Sequence, residues 1–183
     1  MKTSVFRLLP ILAACLLAAC SSSPTVESDL GIAGAPDWVN EGSQAVDNDD
    51  GRFVYGVAFA PPLNDQALQI STADTRARAE VARMVSTYID HTLNDYAAST
   101  GDTASSSIQQ TLNSRTRTVV NGVRIQGHWK DDDSGNIYSF AVMDMKQLDQ
   151  AITTADKLSQ TFKEFYQQNA NANFDRFSKE TQQ

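Results

Sequence analysis

The chain has 183 residues, of which 41% are apolar, and a formal net charge of −7, enough apolar material for one domain of ordinary size. Its acidic balance gives no electrostatic footing for nucleic acid or for anionic headgroups. Both cysteines, Cys15 and Cys20, fall within the first twenty residues, so the remainder holds no disulfide, thiolate metal site or cysteine nucleophile.

Lys2 and Arg7 precede an apolar run over residues 8–17, which Leu17, Ala18, Ala19 and Cys20 close. A basic start, an apolar core and small residues before a cut are the parts of a secretory signal. The run is about half of the ~20 residues that span a bilayer, so it reads as a signal over residues 1–19 rather than a transmembrane helix. Leucine, two small residues and cysteine in that order are what a lipoprotein-processing peptidase reads. Cys20 then becomes the mature N-terminus and the lipid-attachment site, with acyl chains of the palmitate class on its sulfur and amine. Each buried CH₂ contributes about 0.8 kcal/mol, and several chains make the anchoring durable. Ser21 stands where an inner-membrane retention signal would place aspartate, which points to the cell outer membrane, facing the periplasm. Loss of Lys2 and Arg7 with the leader takes the formal charge from −7 to −9.

Residues 20–35 are rich in serine, glycine and alanine, with Pro24 interrupting. They have too little apolar content to fold and read as a tether. A folded unit is expected over 36–144, opening at Pro36, Asp37, Trp38 and Val39. Turn chemistry at residues 47–51 leads into residues 53–59, where Phe53, Tyr55, Val57 and Phe59 alternate with Val54, Gly56, Ala58 and Ala60. That is strand periodicity with one bulky and one small face, ended by Pro61 and Pro62.

Ile70, Ala73, Ala77, Val81, Met84, Val85, Tyr88 and Thr92 recur at threes and fours, so residues 66–98 form an amphipathic helix. It either crosses the domain, at nearly 50 Å, or breaks part way. Its alanine-rich first half suits close packing on a sheet. Asp74 with Arg78 and Glu80 with Arg83 are spaced as ion pairs on a solvated face. Residues 99–107 read as a turn, and Ile108 and Leu112 as a short helix or an irregular approach to a strand. Over residues 119–130, Val119, Val123, Ile125 and Trp129 alternate with Arg124, Gln126, His128 and Lys130, giving one buried and one wet face. Residues 131–136 form a turn and residues 137–143 return as a third strand, in an antiparallel hairpin. Residues 145–183 are expected to form a C-terminal helix and polar tail. There Leu148, Ala151, Ala155, Leu158, Phe162 and Phe165 fall at coiled-coil spacing, a seam that ends at Asn169. The seam either folds back over one sheet face or remains an exposed stripe seeking another chain; folding back is our reading.

The acidic turns do not read as calcium loops. From Asp131 the sixth position is Asn136 and the twelfth Val142, and from Asp47 the sixth is Arg52, where such a loop needs glycine and a bidentate glutamate. Asp, Asn, Ser and Gly are instead what tight connections require. His128 beside three aspartates reads as a solvated side chain, and so does His91. No metal and no cofactor is expected. There is no Gly-x-Ser-x-Gly, phosphate loop, dinucleotide fingerprint or paired histidine motif. A separated carboxylate pair stays open as a hydrolase site, though three strands and two long helices offer little scaffold for a deep cleft.

Pro36 to Val39, the strand end at Tyr55, Gly56, Val57 and Ala58, and the helix signature Ala73 with Ala77, Arg78, Ala79, Glu80, Val81 and Ala82 are three parts of a recognisable pattern. Val123, Arg124, Ile125 and Trp129 with Asp133, Gly135, Asn136, Ile137 and Tyr138 complete it. Together these residues resemble the Lpp-twenty family of bacterial outer-membrane lipoproteins, over about residues 36–144. Gly122 fits the pattern, whereas the seam after Lys146 lies outside it. The resemblance implies an α+β fold, a small antiparallel sheet of about three strands packed against a long amphipathic helix, and a cell-envelope role. Some relatives are similar to lipoproteins that assist the flagellar motor. It brings no catalytic residues.

The expected function is therefore a non-enzymatic, lipid-anchored envelope protein acting by protein contact or self-association as a structural or assembly factor. Leu158, Phe162 and Phe165 on the seam, with Trp38 and Trp129, are the candidate interaction residues. Two aromatics flanking strands more often fill a small core than grip a partner, so core filling is the other reading of both tryptophans. An alternative is a module for peptidoglycan or another envelope glycan, using an aromatic and acidic groove; a hydrolase is the third reading.

Overall fold

A computed structural model of the chain describes residues 31–42, 51–101 and 106–181. The signal, Cys20 and most of the tether lie outside the described residues, as do residues 47–50 of the first acidic turn. The fold is α+β: a three-stranded antiparallel sheet, a long helix across it and a helical C-terminus.

Residues 31–42 carry one short helix, α1 (Asp37–Asn40), begun after Pro36. The Asn40 side chain ties its end back to the backbone of Ile32, accepting from its N–H at 2.8 Å and donating to its carbonyl at 3.2 Å. Strand β1 (Phe53–Ala60) follows. Asp65 then caps α2 (Gln66–Thr100), accepting from the N–H groups of Ala67 and Leu68, as an N-cap carboxylate should. Gly101, at φ 73°, ends α2 in the left-handed conformation that favours glycine. The 35-residue helix is unbroken and so spans about 50 Å.

Its two halves do different work. The first lies on β1 and on the central strand β3 (Ile137–Asp144), bringing Ala73 and Ala77 to full burial. Contact is so close that a Cβ on Gly56 would lie 2.3 Å from the Ala77 carbonyl oxygen and 2.8 Å from Val81 Cγ2. The second half runs beyond the sheet and buries Tyr88, Ile89, Leu93 and Tyr96 among the remaining helices.

Helix α3 (Ser106–Val120) is longer than the short helix read from the sequence, and it takes up Val119, which was expected on a strand. Its buried stripe is Ile108, Leu112, Thr116 and Val119. Strand β2 (Arg124–Lys130) therefore starts later, and the sheet order is β1, β3, β2. The tight β2–β3 turn is built by Asp131, whose carboxylate accepts from the N–H groups of Asp133 and Ser134 and from the Ser134 hydroxyl. That hydroxyl, foremost, holds the carboxyl below the usual carboxylate range.

Asp74 and Arg78 do not pair. Asp74 Oδ1 accepts from Ser139 Oγ at 2.7 Å and meets His128 Nε2 at 2.7 Å, while Arg78 reaches the Val123 carbonyl. The sheet supplies better partners than the next helical turn. Glu80 and Arg83 do pair.

The C-terminal seam folds back, but not as one coiled-coil helix. Helix α4 (Lys146–Thr153) stops, and α5 (Gln160–Thr181) begins after Ser159, whose hydroxyl accepts from the Phe162 N–H. Ala155 and Leu158 sit between the two helices and are buried, so the seam residues reach the core through a bend. The expected polar tail is helical to Thr181 and buries Tyr166, Ala170, Asn173, Phe174 and Phe177. All of these but Asn173 join the same core cluster as Val54, Val85, Tyr88 and Met143, so residues 145–181 complete the core of the α+β unit. Arg52 locks the joint: its guanidinium pairs with Asp149 and donates to the Ala170 carbonyl, and it lies 5.9 Å above the Phe174 ring. The Tyr166 hydroxyl donates to Asp149 at 2.7 Å. Burial, above all, raises the pKa of both Tyr166 and Tyr88 beyond the ordinary tyrosine value.

Candidate functional site: the open face of the sheet

Successive strand residues point to opposite faces, and β1 sorts them by size. Val54, Gly56, Ala58 and Ala60 face α2, because only small side chains admit a helix that near. Phe53, Tyr55, Val57 and Phe59 are left on the other face, away from α2; there the short α1 lays Trp38 on Phe140, and Tyr55 and Phe140 are buried while Phe59 stays exposed. Register places Asp144 beside Phe53, Val142 beside Tyr55, Phe140 beside Val57 and Tyr138 beside Phe59. The face turned away from α2 is thus the one that carries the rings.

A β-bulge between Ile125 and Gly127 decides what β2 adds. One extra residue reverses the alternation beyond it. Ile125, opposite Ala141, faces the helix and packs on the core. Trp129, opposite Tyr138, faces the other way, correcting the expectation that the two share a face. The same reversal turns His128, opposite Ser139, from the expected wet face toward α2, where it meets Asp74. Ser139 is fully buried and its hydroxyl points to Asp74 rather than to His128, so these three groups brace β2 and β3 against α2 and do not form a nucleophile with its base.

The rings on the open face are in mutual contact. Trp38 stacks on Phe140 at 5.3 Å and 16°, and Phe140 stacks on Tyr55 at 5.5 Å and 18°. Phe59, Tyr138 and Trp129 form a ladder across all three strands, with centroids 5.4 and 5.6 Å apart. Trp38 and Trp129, the two tryptophans singled out from the sequence, therefore sit on one face in separate ring groups. Both are half-buried, belonging to this layer and not to the core cluster.

The two ends of the face differ. At one end Phe53, Val142, Arg124, Gln126, Asp144 and Gln147 line a groove of about 200 Å³, with an apolar floor and both charges and amides on its walls. At the other end the ladder meets the loop after β1 and the start of α2. Phe59, Leu63 and Leu68 are the large apolar side chains left exposed among the described residues, at 46%, 40% and 56%.

The seam candidates fare differently. Leu158 and Phe162 are buried in the core, and Phe165 is half-buried against Tyr96 at 5.3 Å. They offer no exposed stripe, because α2 and α5 enclose them. Cys20 lies outside the described residues. Sequence reasoning missed Phe59, Tyr138, Phe140, Arg124 and Asp144 as site residues. Their signal was the bulky face of β1 matched by Tyr138 and Phe140 two apart on β3, once the small face is assigned to the helix.

Among the described residues no group of three potential metal ligands comes together, and no helix is long and apolar enough to cross a membrane. No known family, curated protein or solved structure matches the chain, and the likeness to the Lpp-twenty lipoproteins rests on the residues named above.

Proposed function

We propose that this chain is a lipid-anchored protein of the bacterial cell envelope, of Lpp-twenty type, that works by binding a protein partner on the open face of its sheet as a structural or assembly factor. One observation carries the reading: a layer of stacked rings occupies the sheet face turned away from the long helix α2, and it ends in a groove with a guanidinium and a carboxylate on its walls. Interfaces are built from such materials, aromatic anchors with arginine beside them and a polar rim. The lipobox supplies the address, through Cys20 on the periplasmic side of the outer membrane.

A photo-crosslinking side chain placed at Gln126 in the groove, in cells, is expected to capture a discrete protein adduct, and the same label at Gln110 on the exposed side of α3 is not. Arg124→Ala with Asp144→Ala should remove the adduct. Absence of any adduct at Gln126, or equal adducts at both positions, overturns the reading.

The same groove favours one second reading. Phe53 beside a carboxylate and two amides is also a composition for a sugar ring, so a glycan of the envelope is the alternative ligand. Co-sedimentation with purified sacculi that Phe53→Ala abolishes would select it over the protein partner.

A further inference from the structure

We infer that the apolar tip formed by Phe59, Leu63, Leu68, Tyr138 and Trp129 rests in the headgroup region of a zwitterionic bilayer. It thereby orients the tethered domain so that the groove at the far end of the same face is held away from the lipid. The inference rests on the proposed lipid anchor at Cys20.

Three observations converge on the tip. First, the large apolar side chains exposed among the described residues all fall within ten positions of one another, on the end of β1, the following loop and the first turn of α2. Residues 61–68 are exposed throughout, so this is a projecting corner and not a scatter of single side chains. Pro61 and Pro62 stiffen the loop, and Pro62 Cγ lies 2.9 Å from where a Gly135 Cβ would stand, which sets the β2–β3 turn against it. Second, the rings behind the corner are a tryptophan and a tyrosine, each apolar in body and polar at one end, the pair that settles at membrane–water interfaces. Third, the tether reaches the fold on this face. Trp38 stacks on Phe140, whose same-face neighbour along β3 is Tyr138 of the ladder. Eleven residue steps separate Cys20 from Gly31, so an acylated Cys20 keeps Gly31, where the chain comes onto this face, within about 40 Å of the bilayer even at full extension.

The charges fix the kind of lipid. Arg76, which donates to the Phe59 carbonyl at 2.8 Å, and Lys130 at the end of β2 stand beside the tip and suit headgroup phosphates. Asp65 and Asp131 are engaged by the backbone at the cap and the turn, and Asp132 and Asp133 at the hairpin tip oppose a strongly anionic leaflet. A zwitterionic surface satisfies both. So small a patch binds weakly alone; held by the tether it acts at high local concentration and sets orientation in place of affinity. Six residue steps along β1 separate Phe59 from Phe53, about 20 Å, so a seated tip leaves the groove clear of the lipid.

The test uses the full, lipidated chain carrying Trp38→Phe, so that Trp129 is the only tryptophan and a ring still covers Phe140. It is reconstituted in phosphatidylcholine vesicles, floated on a density gradient, and read by Trp129 emission with lipids brominated high or deep on the acyl chain. The expected result is flotation with a blue-shifted Trp129, quenched by shallow and not by deep bromines. Leu63→Asp with Leu68→Asp should float equally, unfold at the same temperature and lose both the shift and the quenching. Protein that floats with Trp129 still water-exposed, or with quenching that survives the double substitution, overturns the seating while the anchor stands. Protein that does not float overturns the anchor and the seating with it.

Discussion

The two faces of this small sheet are made by the same three strands, yet one is closed and the other open, and side-chain size decides which. Hydrophobicity alone would bury the bulkier face of β1. The long helix instead lies on Val54, Gly56, Ala58 and Ala60, because a helix whose own contact face is Ala73 and Ala77 comes close to a sheet only where the sheet is also small. Close approach maximises contact at interior packing density. The rings of Phe53, Tyr55 and Phe59 are then left for the face where only the short α1, through Trp38, packs against them. The lesson is that small residues mark the helix-bearing face and large ones the face available to a partner.

The strongest way to break the comparison is to make the closed face bulky. Gly56→Val puts a branched side chain where even a Cβ meets the backbone of α2 at 2.3 Å, with Val81 N another 3.0 Å contact. Backbone cannot yield as a flexible side chain does. The expected loss is about 3 kcal/mol or more, read as a large fall in the thermal unfolding midpoint or as failure to fold.

Much of this division was legible in the sequence, and the parts that were not have physical reasons. The alternation in β1, the stripe of α2 and the hairpin around residues 131–136 all follow from period and turn chemistry, and each is present. The bulge at Gln126 left no trace in composition. A single inserted residue is visible only through its partner strand, so Trp129 and His128 were placed on the wrong faces. Helix α3 was read short because most of its exposed positions are Ser, Thr and Asn, weak helix formers that also suit loops, whereas its buried residues keep helical spacing. The seam from Leu148 to Phe165 shows the opposite error. Threes and fours continue through residues 154–159, yet the chain bends there, since Ala155 and Leu158 reach the core without being helical. Among the site residues, Trp38 and Trp129 were found because tryptophan is conspicuous. Arg124 and Asp144 were not, because only the register of three strands brings them to one groove.

A smaller effect separates the two ends of the core cluster by pH. Burial raises the folded-state pKa of Tyr166 and Tyr88 above the unfolded value of about 10. For a group raised in this way the stabilisation is fully present below the unfolded pKa and is lost as pH rises toward the folded one. The domain should therefore lose stability from about pH 10 upward, starting at the joint between Arg52, Asp149 and α5. Tyr166→Phe should cost about 2 kcal/mol at neutral pH, through the charge-assisted bond to Asp149, and flatten the alkaline slope, leaving the share due to Tyr88. Thermal melts of both proteins between pH 8 and 11.5 measure it; parallel slopes would show that Tyr166 ionises without unfolding.

The smallest effect sharpens the comparison most. Phe59→Ser removes a ring as large as any in the core, but from a side chain that is 46% exposed and whose contact is the edge of the ladder with Tyr138. No helix packs on it and no cavity closes around the change, so the stability cost should stay near that of an ordinary surface substitution, about 0.5 kcal/mol, beside the large loss at Gly56 three positions earlier on the same strand. If the ladder instead propped the sheet, Phe59→Ser would lower the unfolding midpoint as a core truncation does and loosen the hydrogen-exchange protection of β2, the far strand, whose Trp129 meets the same Tyr138. A near-neutral midpoint with intact β2 protection would mean that the rings of this face add little to folding. A ring layer that the fold does not need for its own stability is one whose contacts are available to something outside the chain.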